Sequence, residues 1–239
     1  MCTVSVVRSS GGDLILTSNR DESPSRSVNK INTESIENQQ IMYPGDTAGG
    51  SWIVASNLGW FICVLNGAFK KHSHNPPYKK SRGIIAKEFF QYHSAFQFFQ
   101  DINLEGIEPF TFIAYDQDKL YELRWDEKVK HFSVIDASRP HVWSSCTLYE
   151  PDMQERREKV FHNMLSDIPE ISSSAMIDVH THGKVGDPEQ DFMMNRSDRV
   201  ATISMSQIVV SRKKISLFYH DLVAQNKVEK MYLIDPVRE

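Results

Sequence analysis

The segment MCTVSVVRSSGGDLILTSNRDE, residues 1–22, decides the fold of this chain. Two runs rich in β-branched and apolar residues, 3–8 and 13–18, flank the pair Gly11-Gly12. Two glycines tolerate the positive φ angles that a two-residue hairpin turn requires. On that register Cys2 lies directly opposite Asp21, and opposed residues have Cβ atoms about 4.5–5.5 Å apart. The hairpin therefore predicts that a thiol and a carboxylate meet at its open end.

A thiol at the start of the chain beside a carboxylate has a specific chemical use. A free thiol has a pKa of about 8.5 and an α-amino group one of about 7.7–8.0. If Met1 is removed, which a small second residue permits, Cys2 carries both a nucleophile and a base, and Asp21 orients the amine. The alternative is that Cys2 is a small apolar residue of the sheet and Asp21 caps a turn. Both interpretations stay open at this point.

The remaining pattern predicts further strands and four helices. The predicted strands cover residues 52–56, 60–65, 110–115, 119–125, 129–135, 200–211, 215–219 and 229–234, and the predicted helices cover residues 82–92, 94–101, 152–165 and 173–180. Strands occur mostly as hairpins, and helices are grouped between the sets of hairpins. This order favours antiparallel sheets with segregated helices. We expect one α+β domain over residues 1–239, with two stacked sheets covered by helices.

Composition narrows the class of protein. The chain has 239 residues, with 27 Lys and Arg against 31 Asp and Glu, so its net charge of −4 favours neither nucleic acid nor an anionic membrane as a partner. Its three cysteines, Cys2, Cys63 and Cys146, are widely spaced and odd in number. That usage argues against a disulfide framework and favours a reducing compartment. The longest apolar run, 60–65, is too short to span a membrane. We expect a cytoplasmic protein.

Several ordered motifs resemble those of one family. Residues 19–22 spell NRDE, and residues 49–53, GGSWI, are similar to a GGTW segment. Residues 59–69 end in LNGAF, residues 76–78 read PPY, and residues 81–83 read SRG. Together with Cys2, these motifs resemble the NRDE family, which includes the transport and Golgi organisation 2 proteins. The strong match covers about the first 90 residues.

The resemblance implies a fold and a site. The family looks like a branch of the N-terminal nucleophile hydrolases, which have a four-layer αββα sandwich and include the choloylglycine and penicillin V amidohydrolases. It implies Cys2 as the nucleophile, Asp21 as its partner, Asn66 as an oxyanion donor and Arg199 as a further active-site residue. Those hydrolases carry an arginine three residues before the aspartate, where this chain has Ser18.

A second asparagine of those hydrolases falls near Ser145 in this chain. Arg20 has the opposite strand parity to Asp21, so we expect it on the other sheet face, where it organises the loop after the strand. Arg82 begins a helix, against the preference of the helix dipole, and either binds a substrate carboxylate or pairs with Glu22. The expected substrate-binding residues are Asn19, Arg20, Ser145, Arg82 and Trp52, the last being either a pocket wall or core.

Two functions follow as hypotheses. The first is an amidohydrolase acting on a linear, non-peptide C–N bond of a small-molecule amide, with no resident cofactor. The second is a non-catalytic carrier of haem or a similar ligand, because the family has been associated with haem trafficking; here His72 or His74 is a candidate axial ligand. No third ligand of suitable spacing accompanies this pair, so zinc is not indicated. His180 lies near a predicted helix end, where we expect it to cap carbonyls or face solvent.

Overall fold

The computed structural model describes residues 2–45, 49–197 and 199–234, with residue 2 described by its backbone alone. The strands in chain order are β1 Cys2–Arg8, β2 Leu14–Glu22, β3 Ile31–Ile36, β4 Gln39–Pro44, β5 Ile53–Ser56, β6 Phe61–Asn66, β7 Phe110–Asp116, β8 Lys119–Trp125, β9 Lys130–Ile135, β10 His141–Ser144, β11 Asn195–Arg196, β12 Val200–Val210, β13 Lys214–Asp221 and β14 Asn226–Leu233. The helices are α1 Arg82–Glu88, α2 Ala95–Asp101, α3 Pro151–Ser166 and α4 Ser173–His182.

These strands form two antiparallel sheets. The first has the order β10-β1-β2-β12-β13-β14, with the short β11 added to β12, and the second runs β3-β4-β5-β6-β7-β8-β9. Helices α3 and α4 contact the first sheet, whereas α1 and α2 contact the second. The predicted α+β class and the four-layer αββα sandwich are therefore confirmed. Within the described residues, no helix is both long and apolar enough to cross a membrane.

Alternation along the strands divides the core into layers. Val4 and Leu16 pack between the two sheets, while Val7 and Ile15 pack with the aromatic and aliphatic side chains of α3 and α4. The outer face of the second sheet packs with α1, α2 and the turn after α1. This cluster includes six buried phenylalanines, Phe89, Phe90, Phe98, Phe99, Phe110 and Phe112, with the partly buried Phe132 packed against them. Full burial of each such side chain contributes roughly 1.5–3 kcal/mol, so the sheets form a firm support for the loops at their ends.

The first hairpin has a longer loop than the sequence predicts. Ser9 and Asp13 close the loop, with the Ser9 N–H donating to the Asp13 carbonyl at 2.8 Å. The Gly12 N–H donates to the Ser9 carbonyl at 2.9 Å, and Gly12 has a φ of +93°. This is a three-residue loop in which a turn is followed by a residue in the left-handed region, a common alternative to the two-residue turn. Gly11-Gly12 alone do not form the turn.

The extra loop residue shifts the register by one. Cys2 pairs with Arg20, and Thr3 pairs with Asn19. The prediction that Cys2 lies directly opposite Asp21 is therefore wrong. Because faces alternate along a strand, position 21 lies on the opposite face from position 20 and diagonal to the start of β1. Asp21 therefore lies on the strand next to β1, one residue beyond Arg20, the partner of Cys2.

Other differences concern weak or peripheral patterns. The hairpin β3–β4 was not predicted because β3, INTESI, is mostly polar and exposed. The four-residue edge strand β10 was also missed. The helix predicted for residues 82–92 is α-helical only to Glu88 and then continues as a 3-10 turn, Phe89–Gln91. None of these differences alters the sandwich.

Candidate active site

Asp21 lies in a closed polar environment at the end of β2. It is fully buried, and the Thr202 hydroxyl donates to its Oδ1 at 2.7 Å while the Tyr149 hydroxyl donates to its Oδ2 at 3.2 Å. Burial raises the pKa of Asp21 to about 6, against the lowering effects of the Thr202 hydrogen bond and of the Arg157 charge. The carboxyl group is therefore an anion at neutral pH, but one that is costly to maintain.

A bulge in β12 brings Thr202 to Asp21. Thr202 pairs with Asp21, whereas the next pair along the ladder is Ser204 with Arg20, so one residue of β12 is left over between them. Such a bulge redirects a side chain at the end of a ladder. The Thr202 hydroxyl also lies 3.3 Å from the Phe192 carbonyl and accepts a hydrogen bond from the Met194 N–H at 2.9 Å. The local irregularity thus serves to fix the Asp21 carboxylate.

The backbone of Cys2 begins the strand that separates β10 from β2. Thr3 pairs with Ser144 on one side and with Asn19 on the other. Ser145 follows directly after β10 and is buried, with 1% of its surface exposed. The first residue of β1 is therefore flanked in the sheet by the end of β10 and by Arg20.

Ser145 and Asn66 are in contact, but not through the side chain of Asn66. The Ser145 hydroxyl donates to the backbone carbonyl of Asn66 at 2.7 Å and lies 2.9 Å from the Thr147 hydroxyl. A serine has one hydroxyl proton, so a proton donated to Asn66 is not available to an oxyanion. Ser145 therefore fixes the end of β6, from which the Asn66 side chain reaches the cavity described next.

A cavity of about 140 Å³ opens between the ends of the two sheets. The Arg20 guanidinium lies 4.0 Å from the centre of the Trp52 ring, and its Nη1 donates to the Arg26 carbonyl at 2.8 Å. Arg20 thus organises the loop after β2, as expected, and its face is the inter-sheet face. Trp52 is both buried and part of the cavity wall. The polar and aromatic side chains of the wall are Arg20, Glu22, Arg26, Ser51, Trp52, Asn66, Ser81 and Arg82.

Arg82 pairs with a residue that the sequence did not suggest. Its Nη2 lies 2.9 Å from Oε2 of Glu108, and its Nη1 donates to the Pro109 carbonyl at 3.2 Å. Glu22 pairs instead with Arg26, at 2.7 Å. Burial lowers the pKa of Arg82, and the charge of Glu108 opposes this effect. The predicted Arg82–Glu22 pair is therefore wrong, while Arg82 remains in the cavity wall as a candidate substrate contact.

The histidines of the alternative hypothesis share the same carboxylate. His72 Nε2 lies 3.1 Å and His74 Nδ1 lies 3.3 Å from Oε1 of Glu108. The two histidines, Glu108 and Arg82 therefore form one cluster, of which only Arg82 lines the cavity. Across the described part of the chain, no group of three or more His, Cys, Asp or Glu side chains is placed to hold a metal ion.

Asn19 and His180 belong to a buried network on the helix side of the sheet. The Asn19 amide nitrogen donates to the carbonyls of His180 and Phe192, both at 2.9 Å, and its Oδ1 accepts a hydrogen bond from His180 Nδ1 at 3.2 Å. His180 Nε2 lies 2.7 Å from the Ser5 hydroxyl. His180 is fully buried, which lowers its pKa to about 3, so the expectation that it faces solvent is wrong. Asn19 lies away from the cavity and attaches α4 to β2.

Arg199, the expected active-site arginine, does not lie near Asp21, whereas Arg196 lies against Tyr149. Arg199 is exposed in the turn that joins β11 to β12. Arg196 instead lies 5.6 Å from the Tyr149 ring centre and donates to the Leu148 carbonyl at 3.0 Å. Sequence reasoning also missed Tyr149 and Thr202, which contact Asp21, and Arg157, which lies against Tyr149, because tertiary packing brings them together and none belongs to a local motif.

Comparison with solved structures places this geometry among known folds. The chain is similar to a penicillin V acylase from Agrobacterium tumefaciens, with a TM-score of 0.62 and 10% identity, over 95% of this chain and 85% of the acylase. It is also similar to a conjugated bile acid hydrolase from Clostridium perfringens, with a TM-score of 0.50 and 10% identity, over 97% of this chain and 96% of the hydrolase. A second variant of that hydrolase gives a TM-score of 0.50 at 9% identity, over 98% and 97% of the two chains. At these identities the likeness shows the fold alone.

Sequence comparison identifies the family. Among curated proteins, none matches the chain significantly. The profile of the Transport and Golgi organisation 2 family matches residues 1–221. The chain therefore belongs to the Transport and Golgi organisation 2 family.

Proposed function

We propose that the protein is an N-terminal cysteine amidohydrolase that cleaves a linear, non-peptide amide of a small molecule. The observation that carries this proposal is the buried Asp21, an anion at neutral pH held beside the start of β1 by Thr202 and Tyr149. A buried carboxylate needs a positive partner, and the ammonium of a processed N-terminal cysteine supplies one. The likeness to an acylase and a bile acid hydrolase supports the same class of reaction.

The proposed reaction proceeds in two steps. The α-amine of Cys2 takes the thiol proton, and the sulfur attacks the amide carbonyl carbon. The oxyanion is stabilised by the Asn66 carboxamide and by backbone N–H groups. The C–N bond then breaks, the leaving amine takes the proton from the α-ammonium, and a thioester remains on Cys2. The same α-amine then takes a proton from water, whose oxygen attacks the thioester carbonyl carbon. The C–S bond breaks, the carboxylic acid leaves, and the α-ammonium returns its proton to the Cys2 thiolate.

The experiment is a turnover assay on protein whose intact mass shows that Met1 has been removed. We expect the wild type to hydrolyse at least one member of a panel of acyl amides that varies in acyl length and in the charge of the amine. Cys2→Ala is expected to abolish turnover. Cys146→Ala is the matched control and is expected to leave turnover unchanged, because burial raises the pKa of the Cys146 thiol and keeps it neutral. Turnover by the Cys2→Ala variant would contradict the proposal.

A further inference from the structure

A buried arginine lies directly behind the first strand. Arg157, in α3, has no exposed surface. Its guanidinium donates to the Thr3 hydroxyl of β1 and to the Ser144 hydroxyl of β10, the latter at 3.0 Å. It also donates to the backbone carbonyls of Gln190 and Asp191, the latter at 3.0 Å. One side chain thus joins the first strand, β1, and its neighbour β10 to the loop after α4.

All of these acceptors are uncharged oxygens, so the hydrogen bonds do not neutralise the arginine. A buried charge is costly unless an opposite charge compensates it. The guanidinium carbon lies 4.0 Å from the centre of the Tyr149 ring, and the Tyr149 hydroxyl donates to Asp21. Tyr149 therefore connects the two buried charges, and Arg157 and Asp21 compensate each other through it.

We propose that Arg157 is a positioning residue of the amino-terminal site. It ties β1 to β10 beside Cys2, and its positive charge keeps Asp21 in the anionic form that binds the α-ammonium. The role of the ammonium rests on the proposed function, whereas the coupling of Arg157 to Asp21 can be measured without any turnover. Arg157 touches neither the cavity wall nor Asp21 directly, so it acts through Thr3, Ser144 and Tyr149.

The charges around Asp21 agree with this role. Burial raises the pKa of Asp21, and the positive charge of Arg157 opposes that effect, as does the charge of the amino terminus. In turn, Tyr149, Asp21 and Asp191 raise the pKa of Arg157 against the effect of burial. Of the other groups that face this region, Arg196 lies against Tyr149, and His180 is neutral because burial lowers its pKa to about 3.

The test follows the titration of Asp21 by the carboxyl-carbon NMR signal, which is assigned through its loss in Asp21→Asn. Without Arg157 the anion loses a compensating charge, so in Arg157→Met we expect the titration midpoint to rise by about one pH unit or more. Arg156→Gln is the matched control, since it removes the same charge from an exposed position of α3. Its midpoint is expected to stay within about 0.3 units of the wild type, a range that ordinary screening allows. Equal midpoints in the two variants would overturn the proposal.

Arg157→Lys separates charge from geometry and serves if Arg157→Met does not fold. Lysine keeps the charge but cannot reach Thr3 and Ser144 together. We expect the Asp21 midpoint to stay near the wild-type value, while amide exchange at Thr3 and Ser144 becomes at least about tenfold faster, the equivalent of about 1.4 kcal/mol of local opening. A raised midpoint would overturn the charge role, and unchanged exchange would overturn the strand-tying role. Neither result depends on whether the protein hydrolyses an amide.

Discussion

The two faces of β2 near its end differ in how their polar groups are satisfied. On the face that meets the helices, Asn19 and Asp21 have hydrogen-bond partners from α4, β12 and the segment before α3. On the face between the sheets, Ser18 has no hydrogen-bond partner among the described residues, and the same holds for the indole N–H of Trp52 across the cavity. Successive residues of β2 therefore point alternately to a face whose polar groups are all hydrogen-bonded and to a face where some are not.

This difference suggests different roles for the two faces: one supports the structure of the site, and the other binds a ligand. A fully hydrogen-bonded buried network is rigid and defines one arrangement of its members. An incompletely bonded wall, with Arg20 stacked on Trp52 and Asn66 at the rim, offers groups that a ligand can satisfy. Accordingly, substitutions of the groups that surround Asp21 on the helix face should change mainly stability and the charge of Asp21, whereas substitutions in the cavity wall should change mainly binding and turnover.

The largest expected effect is on turnover, from the cavity wall. Asn66→Ala removes the proposed side-chain donor to the oxyanion, so we expect kcat to fall by about 10²–10³-fold. The free energy of unfolding should change by less than about 1 kcal/mol, because the side chain lines a cavity. Steady-state kinetics and urea denaturation measure the two quantities. A large loss of stability with unchanged kcat would show that Asn66 supports the fold and is not the oxyanion donor.

The second effect is a dependence of stability on pH, from the helix face. The pKa of Asp21 rises from 3.8 to about 6 on folding. A carboxyl group whose pKa rises binds its proton more tightly in the folded state, so its stabilising contribution is present below the unfolded pKa and is lost as pH rises through the folded pKa.

Asparagine does not titrate, so the Asp21→Asn variant does not lose stability in this way as pH rises. The difference in unfolding free energy between variant and wild type should therefore favour the variant by roughly 2.5 kcal/mol more at pH 8 than at pH 4. Urea denaturation of both proteins at the two pH values measures this quantity. If the difference is the same at both pH values, Asp21 is not a costly anion.

The third effect is on stability alone. Asn19→Ala leaves the carbonyls of His180 and Phe192 without their donor in a buried region, so we expect unfolding to become easier by about 2–3 kcal/mol. The Michaelis constant should change little, since Asn19 lies away from the cavity. Urea denaturation and KM are measured together, with Asn66→Ala as the matched variant that removes an amide from the cavity wall. A raised KM with normal stability would move Asn19 into the substrate contacts.

The smallest effect concerns Ser145. Its hydroxyl supports the Asn66 backbone and is not directed to the oxyanion, so Ser145→Ala is expected to lower kcat by no more than about tenfold and stability by about 1 kcal/mol. The comparison is made with Asn66→Ala under the same conditions. A loss of kcat as large as that of Asn66→Ala would show that the Ser145 hydroxyl itself donates in the transition state.

The fold could be predicted largely because its signals are local. Hairpins with clear turn residues indicated most strands, and the NRDE and GGSWI motifs indicated the sandwich. The register of the first hairpin was wrong by one residue, because a glycine pair is compatible with a two-residue turn and also with a three-residue loop that ends at Gly12. The polar strand β3 carried too little apolar alternation to be recognised.

The site could be predicted only in part, for a different physical reason. Cys2, Asp21 and Asn66 were proposed from the first hairpin and the family resemblance, whereas Thr202 contacts Asp21 and Arg157 lies near it only because distant elements pack together. A buried arginine in a helix has the same local sequence signature as an exposed one. The role of Arg157 can be recognised only from the folded structure, in which it lies behind β1 and β10.

The central claim is that Cys2 is a nucleophile supported by a fixed, anionic Asp21. The most direct test is peptide mapping after brief reaction with the amide panel and acid quenching, since cleavage by trypsin at Arg8 isolates the peptide Cys2–Arg8. We predict a free amino-terminal cysteine with the acyl group of the substrate attached to its sulfur, and no acyl group on Cys146. A processed amino terminus that carries no acyl group with any member of the panel, at quench times that cover the full course of turnover, would contradict the account.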